Sequence, residues 1–240
     1  SISFEYKRDR IEEIIQAAVK TGQLLEGKSN ATLGEAGMNV VNDMYDYECG
    51  LTLKNQRRYK FPFPEHLISF QSISNGTSAR WWYANNEEEF SGGEFNLVSL
   101  ISAWINSGKT GISKEYVQPE YVSLLKSLSI IDQHPYSGDN LFTVICVDGG
   151  KELYFHDRGL LFKMTLNYEE YLNCLLELRG GYNGWQFLFC EGSLENANHC
   201  GERFLKDMTT YLHHSTRLFP DTDFQKYQDR LFELRKKLID

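Results

Sequence analysis

Three residues of the segment VICVDGGKELYFH could together activate a nucleophile: Cys146, Asp148 and His156. A thiolate attacks an acyl carbon when an imidazole beside it takes the thiol proton and a carboxylate orients that imidazole. The set therefore defines one function class, a thiol-dependent hydrolase. The competing reading is structural. Cys146 follows Val144 and Ile145 and precedes Val147 in LFTVICV, whose β-branched residues predict a central strand. A thiol buried there is a small hydrophobe whose ionisation is opposed by burial. Asp148 stands before two glycines and reads more simply as a turn residue.

Further along, Cys190, His199, Cys200, His213 and His214 gather metal-ligating side chains near the carboxyl end. They lack the short CxxC or HxxxH spacing that brings two ligands to one face of an element, and adjacent residues on a helix diverge. They read as ordinary helix residues, so no metal or other cofactor is expected. Phosphate sites need a glycine-rich turn that opens a helix. VDGGKEL runs into a strand instead, and FSGGEFN places Glu94 where an anion would sit. Glu87, Glu88, Glu89 and Glu94 supply carboxylates of the kind that hydrolyse glycosides, but a run of like charges is more simply a solvated loop.

Charge narrows the partners. The 240 residues carry 33 acidic against 25 basic side chains, a net charge of −8. The basic run Arg235, Lys236, Lys237 near the end is short. Nucleic acid and acidic membrane surfaces are disfavoured, because neutralising phosphates needs a basic face; a basic protein is allowed. The five cysteines are odd in number and form no CxxC pair, as expected for buried thiols in a reducing compartment, the cytoplasm. The sequons at Asn30 and Asn75 are discounted on the same ground, since no basic leader with an apolar core precedes them. No apolar run approaches the ~20 residues that span a bilayer.

Periodicity predicts the elements that would position these residues. Ile11, Ile14, Ile15, Ala18 and Leu25 form a helical stripe over 9–26. A second helix is expected after Thr32, with Glu35 in a capping box and Val40, Val41, Met44 and Tyr47 on its face. In FPFPEHLISFQSISNGTSARWW, Pro64 suits a first helical turn and Asn75-Gly76 a helix end, so Trp81, Trp82 and Tyr83 begin a strand. Glu94 to Asn96 reads as a short edge strand. Leu97, Leu100, Ile101 and Trp104 read as a helix broken by Gly108 to Gly111, and Pro119 to Ile131 as another. Strands at 141–147, ELYFHD and LLFKM, joined by Asp148-Gly149-Gly150 and Arg158-Gly159, predict an antiparallel meander. Asn167 with Glu170 caps a helix ending at Gly180-Gly181, and from about 191 two helices flank Phe219-Pro220. This order belongs to an α+β fold: a central antiparallel sheet wrapped by helices, in one domain with additional N- and C-terminal helices.

FPEHLISFQSISNGT and VDGGKELYFHDRGLLFKMTLNYEEYLNCL resemble the SUKH superfamily, which contains a yeast regulator of cell-wall synthesis and many bacterial toxin-immunity proteins. The resemblance spans roughly residues 55 to 190, leaving N-terminal helices over 1–54 and a helical extension over 191–240 as departures from a minimal member. It implies an antiparallel sheet wrapped by helices that works without catalysis by binding other proteins, often a toxin made by a competitor.

Recognition by protein contact also fits the residues themselves. Trp81, Trp82, Tyr83, Glu87, Glu88, Glu89 and Glu94 interleave aromatics with carboxylates. Exposed together they would form an acidic, partly apolar surface for a basic protein such as a toxin domain, with aromatic anchors for affinity and carboxylates for steering. Strand alternation sets against this a core role for one of the two tryptophans. The expectation is a non-catalytic protein-binding domain, an immunity protein; a housekeeping adaptor and the thiol hydrolase are the alternatives.

Overall fold

The computed structural model describes residues 32–33, 37–40, 76–84, 90–98, 100–134, 140–181, 184–191 and 193–239. Among the described residues eight strands form one sheet: β1 (Thr32–Leu33), β2 (Gly37–Val40), β3 (Gly76–Ala84), β4 (Phe90–Val98), β5 (Leu128–Gln133), β6 (Phe142–Cys146), β7 (Leu153–Asp157) and β8 (Leu160–Lys163). Every pairing is antiparallel, and β3 to β8 lie side by side in chain order. β1 and β2 share the outer edge of β3, pairing with Tyr83–Ala84 and Thr77–Arg80 respectively. Helices are α1 (Leu100–Ile105), α2 (Tyr168–Glu177), α3 (Ser193–Leu218) and α4 (Gln225–Ile239), with 3-10 segments at Pro119–Ser127 and Trp185–Phe189. The fold is α+β, as the sequence predicts. Among the described residues no helix is long and apolar enough to cross a membrane.

The meander forms as expected from its turns. Asp157 to Leu160 is a two-residue hairpin with φ of +50° at Arg158 and +94° at Gly159, the backbone that matches strand twist. Asn167 caps α2 with both bonds of a capping box: its side chain accepts the Glu170 N–H, and the Glu170 carboxylate accepts the Asn167 N–H.

Alternation along the strands sorts side chains to two faces. One face carries Ile131, Ile145, Leu153, Phe155 and Phe162 beneath α1 to α4, with Trp185, Phe187 and Phe204 fully buried among them. The other carries Leu128, Val144, Tyr154 and Leu161 under Ile112, Val117, Tyr121, Leu124 and Leu125. Burying a side chain of this size is worth ~1.5–3 kcal/mol, so both covers are held to the sheet mainly by apolar contact.

Four expectations are corrected. The helix after Thr32 gives way to β1 and β2. Gly34 and Gly37 weaken a helix there, and Gly37–Val40 instead satisfies its backbone on β3. Pro119 does start a helix, but a 3-10 one that stops at Ser127. Leu128 to Ile131 belongs to β5, where Leu128 pairs with Cys146. Leu97 lies in β4, and helix starts only at Leu100. Glu94 to Asn96 is no edge: β4 runs nine residues between β3 and β5. The expected helices over 9–26 and 64–75, the rest of the helix expected after Thr32 from residue 41 on, and the expected loop Glu87 to Glu89 lie outside the described residues.

Candidate functional site

Trp81, Trp82 and Tyr83 sit in β3 opposite Gly93, Gly92 and Ser91 of β4. Glu94 does not join them on an exposed surface. It is only 1% exposed, so the expected acidic patch loses this member. Its backbone N–H donates to the Gly180 carbonyl at 2.8 Å. Gly93 bridges Gly181, so the turn after α2 takes the place beside β4 that β5 would otherwise hold. Gly180, with φ of +63°, fits there because a Cβ would lie 2.6 Å from the Glu94 carbonyl oxygen.

Where β4 parts from β5, a cluster of polar side chains is sealed in the interior. Its origin is a bulge. Ile130 pairs with Val144 but Asp132 with Thr143, so one extra residue is inserted in β5. Leu128 and Ile130 face the second cover and Ile131 the helices. The bulge turns Asp132 to the helical side as well, where it meets α2. The Tyr171 hydroxyl donates to Asp132 Oδ2 at 2.6 Å, and the Asn96 N–H donates to Oδ1 at 2.9 Å. Gln186 Nε2 donates to the Tyr171 oxygen at 3.0 Å, and Thr143 Oγ1 lies 3.0 Å from it. The same Gln186 nitrogen lies 3.5 Å from His134 Nε2. The amide nitrogen has only protons to offer, so His134 Nε2 is the acceptor and its proton sits on Nδ1.

Electrostatics follow from burial. Asp132, Thr143 and Gln186 are 0% exposed and His134 2%. Desolvation pushes the Asp132 carboxyl up to about 7, against the stabilising bonds from Tyr171, Asn96 and Gln133, while the Glu94 charge adds to the rise. Desolvation takes His134 down to about 4, with Glu94 acting in the opposite sense. Tyr171 is raised well above its ordinary value, first by burial and then by Asp132. The chain of bonds from His134 through Gln186 and Tyr171 to Asp132 locks the bulge, α2 and the segment Trp185–Phe189 together.

The thiol set is not brought together. Cys146 is buried, its sulfur donates to the Asp148 carbonyl at 2.9 Å, and burial raises its pKa. His156 pairs across the sheet with Phe142, four residues from Cys146 along β6. At about 3.3 Å per residue that is roughly 13 Å, too far for proton transfer. Asp148 accepts from the Ser127 hydroxyl at 2.7 Å. His156 has other partners: Nδ1 lies 2.9 Å from the Asn140 carbonyl and Nε2 accepts the Gly159 N–H at 3.0 Å. Of the metal-ligating residue types near the carboxyl end, which the sequence reads as ordinary helix residues, Cys190 points its sulfur to the Gln186 carbonyl at 3.3 Å, and the His213 and His214 rings lie 5.7 Å apart. Among the described residues no group of three or more His, Cys, Asp and Glu could hold a metal ion.

The sequence reading missed the interior cluster. Its signal is a polar residue inside an apolar run: Asp132 after Ile130-Ile131, and Gln186 between Trp185 and Phe187. A polar group buried in such company must be hydrogen-bonded or it is destabilising. Compared with protein-family models, with curated proteins and with solved structures, the chain matches none.

Proposed function

We propose that the chain is a non-catalytic protein-binding domain of the SUKH type, an immunity protein that acts in the cytoplasm by binding and neutralising a toxin. One observation carries the reading. The three side chains that the sequence offers for nucleophilic chemistry are engaged separately within the protein: Cys146 with the Asp148 carbonyl, His156 with Asn140 and Gly159, and Asp148 with the Ser127 hydroxyl. Further support comes from the segment that carries the resemblance, VDGGKELYFHDRGLLFKMTLNYEEYLNCL, which forms consecutive elements from the turn after β6 through β7 and β8 to α2. The partner is a basic protein domain, drawn by a chain of net charge −8 and docked through Trp81, Trp82, Tyr83 and the Glu87 to Glu89 loop.

The experiment is co-expression with the toxin encoded beside the gene, followed by co-purification. A stable complex and protected cells are the expected result; neither complex nor protection with any neighbouring toxin ends the immunity reading. Replacing Glu87, Glu88 and Glu89 together by Gln should slow association about tenfold at low salt and flatten its salt dependence. Unchanged association would move the interface away from that loop.

A further inference from the structure

His156 is held by two partners that together fix its proton. Nδ1 faces the Asn140 carbonyl at 2.9 Å, and a carbonyl only accepts, so Nδ1 carries the hydrogen. Nε2 receives the Gly159 N–H at 3.0 Å, which requires a bare lone pair. The ring is stacked on Phe142, with centroids 4.0 Å apart and planes 16° apart, so it cannot turn away without losing that contact. Only the neutral imidazole satisfies all three contacts. A second proton would set an N–H at Nε2 against the N–H of Gly159.

The bond under threat holds a strained turn. Arg158, at φ of +50°, occupies left-handed backbone that costs a non-glycine residue ~1–2 kcal/mol. Gly159 makes room for Tyr116, since a Cβ at Gly159 would lie 2.6 Å from Tyr116 Cβ. Tyr116 is otherwise largely open to solvent, at 68% exposed, while Val117 and Gln118 after it are held in the second cover and on Leu161.

We propose that His156 is a proton-operated latch: protonation of its imidazole releases the β7–β8 turn and the Tyr116 loop seated on it. The groups around the ring set its direction. Asp157, the next residue, favours the charged ring, but Arg158 and Arg203 approach that carboxylate at 3.9 and 3.8 Å. β6 offers Phe142, the preceding loop Asn140, and β8 Leu161 opposite, none of which titrates. Burial lowers the His156 pKa, outweighing first the Asn140 carbonyl bond and then Asp157, both of which favour the charged ring. A lowered value means that the closed form is favoured above the ordinary histidine range near 6.5 and lost as pH falls through the folded value. The latch is shut at neutral pH and opens on acidification.

The test is NMR on the full chain between pH 7.5 and 4.5. The Gly159 amide and the Tyr116 ring signals should shift with the midpoint of the His156 ring protons. Exchange protection of the Gly159 amide, corrected for the intrinsic rate, should fall at least tenfold across that midpoint. His156→Gln offers a non-titrating acceptor and should leave Gly159 protection flat with pH. If Gly159 protection holds while His156 titrates, or falls at the same midpoint in the Gln variant, the latch is refuted. Should His156→Gln fail to fold, the wild-type titration decides alone.

Discussion

Asp132 Oδ1 accepts the Asn96 N–H at 2.9 Å beside Leu97–Asp132, the one ladder position that joins β4 to β5 among the described residues. A side chain thus performs a main-chain task at the weakest seam of the sheet. Its other oxygen is held by Tyr171, so the seam and α2 share one carboxyl group.

Removing the Tyr171 hydroxyl should expose how much that sharing contributes. Tyr171→Phe keeps the ring but leaves Asp132 Oδ2, Thr143 and Gln186 without their common partner. Loss of a fully buried bond, with three polar partners left short of it, costs about 2–4 kcal/mol. For a chain of this length the Tm should fall by about 10 °C. A melting curve within 2 °C of wild type would show that the cluster repairs itself.

Asp132 and His134 should mask each other's pH dependence. The raised Asp132 favours the folded state fully below its ordinary 3.8, an advantage lost as pH rises to about 7. The depressed His134 favours it fully above its ordinary 6.5, an advantage lost as pH falls to about 4. Between those limits the slopes oppose, because folding moves a proton from imidazole to carboxyl without net uptake. Asp132→Asn should therefore lose stability relative to wild type on going from pH 6.5 to 4.5, by about 2–3 kcal/mol at 1.36 kcal/mol per unit. His134→Gln should gain over the same range. Urea melts at several pH values check both, and parallel profiles for variant and wild type would refute the compensation.

The outer edge of β8 is closed by an amide. Gln118 Nε2 donates to the Leu161 carbonyl at 2.7 Å, and Gln118 Oε1 accepts the Leu161 N–H at 2.9 Å, as a neighbouring strand would. Gln118→Ala should cost about 1–3 kcal/mol and open the edge to self-association. Sedimentation at rising concentration reads the second effect; a variant as stable and as monodisperse as wild type would rule out the edge role.

Gly180 supports the seam from the other side. Gly180→Ala would force a Cβ against the Glu94 carbonyl at 2.6 Å in a backbone region that side chains avoid. We expect a loss of about 2–4 kcal/mol in chemical denaturation. Gly111→Ala is the control: its φ is also positive, at +75°, but nothing lies within 4 Å, so only the backbone cost of about 1 kcal/mol applies.

What was legible in the sequence is what neighbours in the chain decide. The capping box of Asn167 and Glu170, the Asp148-Gly149-Gly150 and Arg158-Gly159 turns, and the alternation of ELYFHD are local, and each predicts its element. The interior cluster is not local: Asp132 and Tyr171 are 39 residues apart, and His134 and Gln186 52. Glu94 misleads for the same reason. Its neighbours suggest an exposed acidic strand, whereas the fold buries it beside the Gly180 turn. Leu128 to Ile131 fits either period, and only pairing with β6 decides for strand.

The meander also fixes an order of events during synthesis. β5 to β8 emerge from the ribosome in the order in which they pair, each finding its neighbour across a short connection with little loop entropy to overcome. β8, however, waits: Glu191 donates to the Lys163 carbonyl and Thr165 to the Phe189 carbonyl, so its far side stays open until some thirty more residues have left the tunnel. Through that interval the nascent chain depends on Gln118, already made, to keep a half-finished sheet from recruiting a stranger.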